Sequence, residues 1–460
     1  MNIFNSLGRK KEKFIPLEPG KVGIYVCGPT VYDNAHLGHG RSAVAFDVIR
    51  RYFIYCGYEV KYVSNYTDID DKMINRAAEE GISVEALAAK VIPEYAADYG
   101  ALGVITPDVQ PLATEYVDEM IEMIASLEEN GFTYILDDGV YYDVTKFADY
   151  GKLSGNTLDQ LQSGARMEVK DSKRNPQDFV LWKFKKEGEP FWSAPWGDGR
   201  PGWHIECSAM AWKCLGQRFD IHGGGLDLTF PHHECEIAQT EGCFGAESFA
   251  RVWMHNGFIN IDDEKMSKSL NNFFTLKDIF EKYDPTVVRF MFLQTHYRNP
   301  VNFSHVLLDQ AKSALERLDG FVRKVSALAG PGEIELSELL DAAEKSFQEA
   351  MDEDFDTSGA LGAVFELVRQ VNILIAEGHL GSGDAQAVLV LLQKFNQVLA
   401  ILDFEKGTNE VNKEALALIE ERKLAREAKD FARSDQLRDQ LAAMGVLVED
   451  TAEGMLYRNL

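Results

Sequence analysis

The alternation of apolar and polar positions marks the organising unit of this chain within its first 65 residues. Positions 22–26 form a short, almost wholly apolar run. It predicts a strand that breaks at Gly28-Pro29, because proline cannot donate to a central ladder. From about 42 to 55, Val44, Phe46, Val48, Ile49, Phe53 and Ile54 recur at helical spacing. Positions 58–64 predict a second strand. Strand, crossover helix and strand make a parallel βαβ unit, whose ligands sit beyond the carboxyl ends of the strands near helix amino termini. Helical patterns follow at 71–81, 84–100 and 114–130, with Pro107 and Pro111 marking a boundary.

Between 133 and 196 the pattern changes. Residues 140–144 alternate like a strand, and 178–184 form a second apolar run, as expected of an insertion packed beside the main sheet. After 276, helical spacing dominates. Pro285 opens a helix. A long helix over 304–328 places Val306, Leu307, Ala311, Leu315 and Leu318 on one side, and Gly330-Pro-Gly332 ends it. Helices over 334–352, 357–377 and 383–402 predict a bundle. The tail from about 412 is locally basic, and Leu424, Phe431 and Leu437 would give its helix a partner face.

A chain of 460 residues is long enough for two to four domains with real cores. No secretory h-region and no long uncharged apolar run is evident, so no membrane attachment is expected. Six cysteines in this length are no disulfide framework, and a reducing, cytoplasmic setting is expected. A net charge of −26, from 47 basic and 73 acidic residues, argues against a nonspecific nucleic-acid coat but leaves room for a local basic surface.

The chemistry-bearing residues cluster in four stretches. Directly after the first strand, Cys27 is followed by His36-Leu-Gly-His39. Neither a dinucleotide fingerprint nor a P-loop is present. Two imidazoles around Gly38 can donate to phosphate oxygens, although a turn with two surface histidines is the ordinary alternative. Far downstream lies Lys265-Met266-Ser267-Lys268-Ser269. Between them come Gly202-Trp-His-Ile-Glu-Cys-Ser-Ala-Met210 and a single run that opens with His222-Gly-Gly-Gly-Leu-Asp227 and closes with Phe230-Pro-His-His-Glu-Cys-Glu236. With Pro231 in a first helical turn, His232 and Glu236 share a face. Thiolates, an imidazole and a carboxylate suit zinc. Spacing alone leaves buried core cysteines as the competing reading.

HLGH paired with KMSKS in this order resembles a class I aminoacyl-tRNA synthetase. All four stretches together resemble cysteinyl-tRNA synthetases over nearly the whole chain. The resemblance implies an α/β fold: a Rossmann-like catalytic domain in two halves, 1–110 and 197–255, and a connective insertion at 111–196. It further implies a KMSKS and stem-contact region at 256–303, a helical bundle at 304–405 and an anticodon-binding domain at 406–460. It implies that ATP, with Mg2+, and L-cysteine form cysteinyl-adenylate, and that the cysteinyl group passes to tRNA(Cys). His36, His39, Lys265 and Lys268 would be catalytic. Gly38, Asp227, Met266 and Ser267 would join them around ATP. Thr67, Trp203, His222 and His255 would line the amino-acid pocket.

The zinc ligands implied are Cys27, Cys207, His232 and Glu236. Cys235 stands where the family usually has asparagine and could also face the metal, though it ranks below Glu236. His233 and Glu234 would be supporting or helix-surface groups, and Cys56, Cys214 and Cys243 core residues. Zinc would bind the substrate sulfur, because cavity size separates such ligands by only about 1–3 kcal/mol and the insertion is too short for a familiar editing domain. Arg426, Phe431, Asp435 and Asp450 would contact tRNA, with Phe431 in place of the usual tryptophan. Asn271 replaces a glycine after KMSKS. A monomer is expected. The competing readings are a ligase that passes cysteine to a small amino sugar and a catalytically dead tRNA-binding relative. The tail weighs against the first, and the intact signature residues weigh against the second.

Overall fold

The computed structural model describes residues 1–156, 172–261, 264–265, 274–332, 335–404, 413–444, 446–451 and 454–459. Its centre is a four-stranded, wholly parallel sheet of β1 (Lys21–Val26), β2 (Glu59–Ser64), β3 (Arg218–Gly225) and β4 (Phe249–Asn256), in the order β4-β3-β1-β2. Helix α1 (Leu37–Tyr55) connects β1 to β2. Helix α2 (Trp203–Leu215) leads into β3, and α3 (Glu234–Phe244) lies between β3 and β4. Winding therefore reverses between β1 and β3, and a crevice opens at the carboxyl ends of that strand pair.

Burial explains the βαβ unit. Val44, Phe46, Val48, Ile49 and Phe53 of α1 are buried, whereas Ile54 is about half exposed and lies outside the stripe. The helix also begins five residues earlier than its apolar spacing predicts. His36 is the N-cap, and its side chain accepts from the His39 backbone N–H while the His39 ring accepts from that of His36. This reciprocal cap turns HLGH into the first helical turn itself. Gly38 and Gly40, poor helix formers, had hidden that start.

The insertion forms a four-stranded antiparallel sheet of Thr133–Leu136, Gly139–Tyr142, Phe179–Phe184 and Gly199–Pro201. Asp71, at the start of the helix Asp71–Glu80, accepts from Lys183 and Arg200 of this sheet. Burial alone would raise the Asp71 carboxyl, but those two donors outweigh it and hold it at about 2. Its contribution to stability is therefore complete above the ordinary carboxylate value, about 3.9, and is lost as pH falls toward the folded value. Asp71→Asn is expected to lower the thermal midpoint at neutral pH, with the gap to the unaltered chain closing as pH drops below about 4. Melts across that range check it.

The helices His305–Ser326, Ser337–Asp352, Thr357–Ala376 and Ser382–Leu399 form the expected bundle. The buried stripe of the first runs through Leu308, Ala311, Leu315, Leu318, Val322 and Val325. Val306 is out of phase with it and exposed. Thr357–Ala376 is long and apolar enough to cross a membrane by length and composition, but it buries Ala360, Leu361, Val364, Leu367 and Val371 within the bundle. Arg289, fully buried, ties the bundle to α1. It donates to Asp47 of α1 at 2.6 Å, to the Leu399 carbonyl at 2.7 Å and to the Leu102 carbonyl at 3.0 Å. The tail folds as helices Lys413–Glu427 and Phe431–Ala443 with a hairpin of Val446–Thr451 and Gly454–Asn459. The hairpin was not apparent from sequence pattern.

Candidate active site and metal centre

The crevice at the β1/β3 switch is a cleft of about 370 Å3. Cys27, His36, Gly38, His39, Thr67, Trp203, Cys207, Asp227 and His232 all line it, though they come from five separate stretches of chain. Its floor is built from the strand ends. The Cys27 N–H donates to the Gly223 carbonyl at 3.0 Å, joining the end of β1 to β3. Gly28 has no room for a side chain, since an added Cβ would lie 1.6 Å from the Asn65 carbonyl oxygen.

His36 and His39 stack with ring centroids 3.6 Å apart at the amino end of α1. The Tyr95 hydroxyl lies 3.2 Å from His39 Nδ1. The imidazole pair and the positive end of the helix dipole therefore meet at one edge of the cleft, where an anion is favoured. Lys265 is in the strand Glu264–Lys265, paired with Ile259–Ile261 next to the cleft-lining Gly257 and Phe258. Met266, Ser267, Lys268 and Asn271 lie outside the described residues.

One ligand atom each from Cys27, Cys207, His232 and Glu236 come within 4.8 Å of one another. Cys27 Sγ donates to Glu236 at 3.4 Å, and His232 Nε2, from the turn Thr229–His233 just before α3, is 3.1 Å from the same carboxylate oxygen, the expected i,i+4 meeting. A second grouping, Cys27, His222, His233 and Glu236, meets the same distance limit. The two differ in access. Cys27, Cys207 and His232 line the cleft, whereas His222 and His233 do not.

The donor set fits a soft-to-borderline cation. Burial pushes the Cys27 thiol well above its ordinary value and lowers the His232 imidazolium to about 3. Two thiols enclosed together, both raised above their ordinary value, are poorly suited to ionise by themselves, and a divalent cation reverses that. The neutral imidazole is already the ligand form.

Trp203, at the first position of α2, stacks on His232 at 4.4 Å and 19°, so it walls the cleft beside this cluster. Thr67 donates to buried Glu206 at 2.8 Å. His222 and His255, expected in the amino-acid pocket, are buried and are not among the residues that line the cleft. His222 Nε2 lies 2.8 Å from Glu236, and His255 bridges His233 at 2.8 Å and the Ser6 hydroxyl at 2.7 Å. The His222 ring stacks on Trp253 at 4.4 Å and meets Phe249 at 5.3 Å, whereas the His255 ring packs against His233 at 5.0 Å.

Cys235 points away from the cluster, with Sγ 3.3 Å from the Tyr150 hydroxyl. Glu234 is buried, not on the helix surface, and accepts from the Leu153 and Ser154 backbone. All six cysteines are free; Cys56 is exposed at the end of α1 and is not a core residue.

Asn65 carries a role that sequence reasoning missed. Its side-chain oxygen accepts from Tyr25 at 3.1 Å, Gly28 at 2.9 Å and Cys207 at 3.7 Å, joining both cysteine segments. The available signal was an asparagine placed directly after the second strand. In the tail, Phe431 is 60% exposed, and Leu424 is also exposed, so neither supplies the expected partner face. Arg426 and Asp435 are exposed on their helices. Asp450 lies in the first hairpin strand, its side chain outside the described residues.

Residues 13–313 match the class I (C) tRNA synthetase catalytic domain, 346–403 the DALR domain, and 408–458 the cysteinyl-tRNA ligase anticodon binding domain. The cysteine–tRNA ligase of Carboxydothermus hydrogenoformans is 50% identical, with 100% of each chain covered. That of Geobacter sulfurreducens is 49% identical over 100% of this chain and 99% of its own. The chain belongs to the cysteine–tRNA ligase family. The fold agrees with that membership. Methionyl-tRNA synthetase of Mycobacterium tuberculosis superposes with a TM-score of 0.62 at 14% identity, over 83% of this chain and 90% of that one. A leucyl-tRNA synthetase of Agrobacterium radiobacter gives 0.61 at 13% identity, over 85% of each chain. These two likenesses bear on the class I architecture alone.

Proposed function

We propose that the chain activates L-cysteine with ATP and transfers the cysteinyl group to the 3′ end of tRNA(Cys), working as a monomer in the cytoplasm. The observation that carries this reading is the shared cleft: Cys27, Cys207 and His232 face the same space as His36 and His39. A side chain held at the first cluster directs its carboxylate toward a phosphate held at the second.

Cys27, Cys207, His232 and Glu236 would hold zinc, which supplies a soft Lewis acid for the substrate thiolate that serine's alcohol matches poorly. Trp203 closes the pocket around the side chain, and Thr67, oriented by Glu206, faces the bound amino acid. The cysteine carboxylate oxygen bonds to the α-phosphorus of ATP as the bond to pyrophosphate breaks. His36 and His39 donate to phosphate oxygens; Lys265 and Lys268 neutralise charge growing on the departing Mg2+-pyrophosphate. Asp227 accepts from the ribose or the substrate amine at the cleft wall. The terminal hydroxyl of tRNA then attacks the adenylate carbonyl and AMP leaves.

The test is aminoacylation of unmodified tRNA(Cys) with labelled cysteine, with zinc content measured on the same preparation and an amino-sugar acceptor as control. Charging of the sugar but not of tRNA would refute the reading. So would active enzyme that is free of metal yet still refuses serine.

Phe431, exposed at the start of its helix beside Arg426 and Asp435, would stack on an anticodon base. Asp450 would contact a base edge from the hairpin. Phe431→Ala is expected to weaken tRNA by roughly 1–3 kcal/mol, read as a higher KM for tRNA with cysteine activation unchanged.

A further inference from the structure

The helix Ser337–Asp352 turns into Thr357–Ala376 through only four residues. Two of them, Asp354 and Phe355, adopt positive φ, 61° and 55°. Neither is glycine, so the surroundings must hold this corner in place. Phe355 is buried against Tyr52 and Phe53 of α1, with ring centroids 6.1 and 5.7 Å away. Asp354 is wholly buried, and its carboxylate gathers donors from two other parts of the chain. It accepts from the Phe4 N–H at 2.8 Å, the Tyr297 hydroxyl at 3.0 Å and Arg298 Nε at 2.7 Å, and His296 Nε2 lies 3.6 Å away.

The segment 296–299 is held from its other side by α1. Arg41, two residues after the second signature histidine, donates to the carbonyls of Gly257, His296, Tyr297 and Asn299. The Gly257 N–H in turn donates to the Tyr297 carbonyl at 2.8 Å. Immediately beyond, Val301–Phe303 pairs in parallel with Ile259–Ile261, and that strand pairs with Glu264–Lys265. The base of the second signature is thus hydrogen-bonded to a segment clamped between Asp354 and the helix of the first signature.

We infer that Asp354 is a positioning residue for cysteine adenylation: by fixing residues 296–298 it sets the strand pair carrying Lys265 relative to His36 and His39. The inference rests on the adenylation chemistry proposed above and predicts an effect on turnover separate from cysteine capture. The metal cluster comes from Cys27 just after β1, Cys207 on α2, His232 just before α3 and Glu236 on α3, and none of these is among the Asp354 carboxylate partners named above.

Asp354→Asn keeps the size of the side chain and removes the charge facing Arg298. The experiment is cysteine-dependent ATP–pyrophosphate exchange, normalised to active sites titrated by the adenylate burst, with zinc content measured alongside. Turnover per active site should fall about 10- to 100-fold, as expected when reacting groups shift by a fraction of an ångström to about 1 Å. Cysteine KM should stay within about twofold and zinc content should be unchanged. If Asp354→Asn does not fold, Tyr297→Phe, which removes one donor to the carboxylate, should show the same split at about threefold. Unchanged turnover per active site, whatever the thermal midpoint, would overturn the inference, as would a parallel rise in cysteine KM with loss of zinc. Absence of exchange in the unaltered chain would instead overturn the adenylation reading itself.

Discussion

Cys207→Ser is expected to strip zinc from the purified protein and to collapse the preference for cysteine over serine. The reasoning is one of magnitudes. A pocket that tells substrates apart by shape reaches roughly 1–3 kcal/mol, about 10- to 200-fold, for one small group. Trp203 and the strand-end walls can supply that much. Discrimination beyond it requires a partner specific for sulfur, and of the two ligand groupings among the described residues the one with three members lining the cleft contains Cys27, Cys207 and His232. Serine hydroxyl is a poor zinc ligand beside thiolate. The variant should therefore show a much higher cysteine KM and a residual cysteine-to-serine ratio no better than about 200. Elemental analysis and competitive activation kinetics read both. A metal-free variant that keeps normal selectivity would remove the cluster from the account. The hydrogen bond from Cys207 to Asn65 is long, 3.7 Å, so its loss should cost little stability.

His39→Ala is expected to act on the rate and to spare cysteine binding. Its ring lies at the amino end of α1, stacked on His36, and is not one of the metal-cluster residues that share the cleft. Removing one preorganised donor to a developing oxyanion costs roughly 10²–10³ in turnover. The same ring also caps the His36 N–H, so some stability is lost, about 1 kcal/mol for a helix cap. The two effects separate cleanly. Loss of the cap lowers the thermal midpoint and the active fraction, whereas loss of the phosphate donor lowers single-turnover adenylation in those sites that remain active. Single-turnover rates with titrated sites check this; a defect wholly explained by active fraction would leave His39 only its capping role.

The sequence by itself determined the βαβ unit, the order of the signature stretches and most helix spans, because each depends on local period or on residues adjacent in the chain. It also singled out Cys27, Cys207, His232 and Glu236, through a family resemblance rather than through spacing; their 209-residue span holds no compact ligand pair. Tertiary structure decided which side of the sheet each histidine occupies. His222 and His255 lie within β3 and β4, just before the strand ends that lead to cleft residues, yet both are buried, and a one-residue step reverses the face of a strand. It decided that Cys235 points toward Tyr150, since one position along a helix rotates a side chain by about 100°. The buried carboxylate of Asp354 and the clamp by Arg41 join residues hundreds of positions apart. No local pattern encodes such contacts: their partners become neighbours only when the bundle closes on α1.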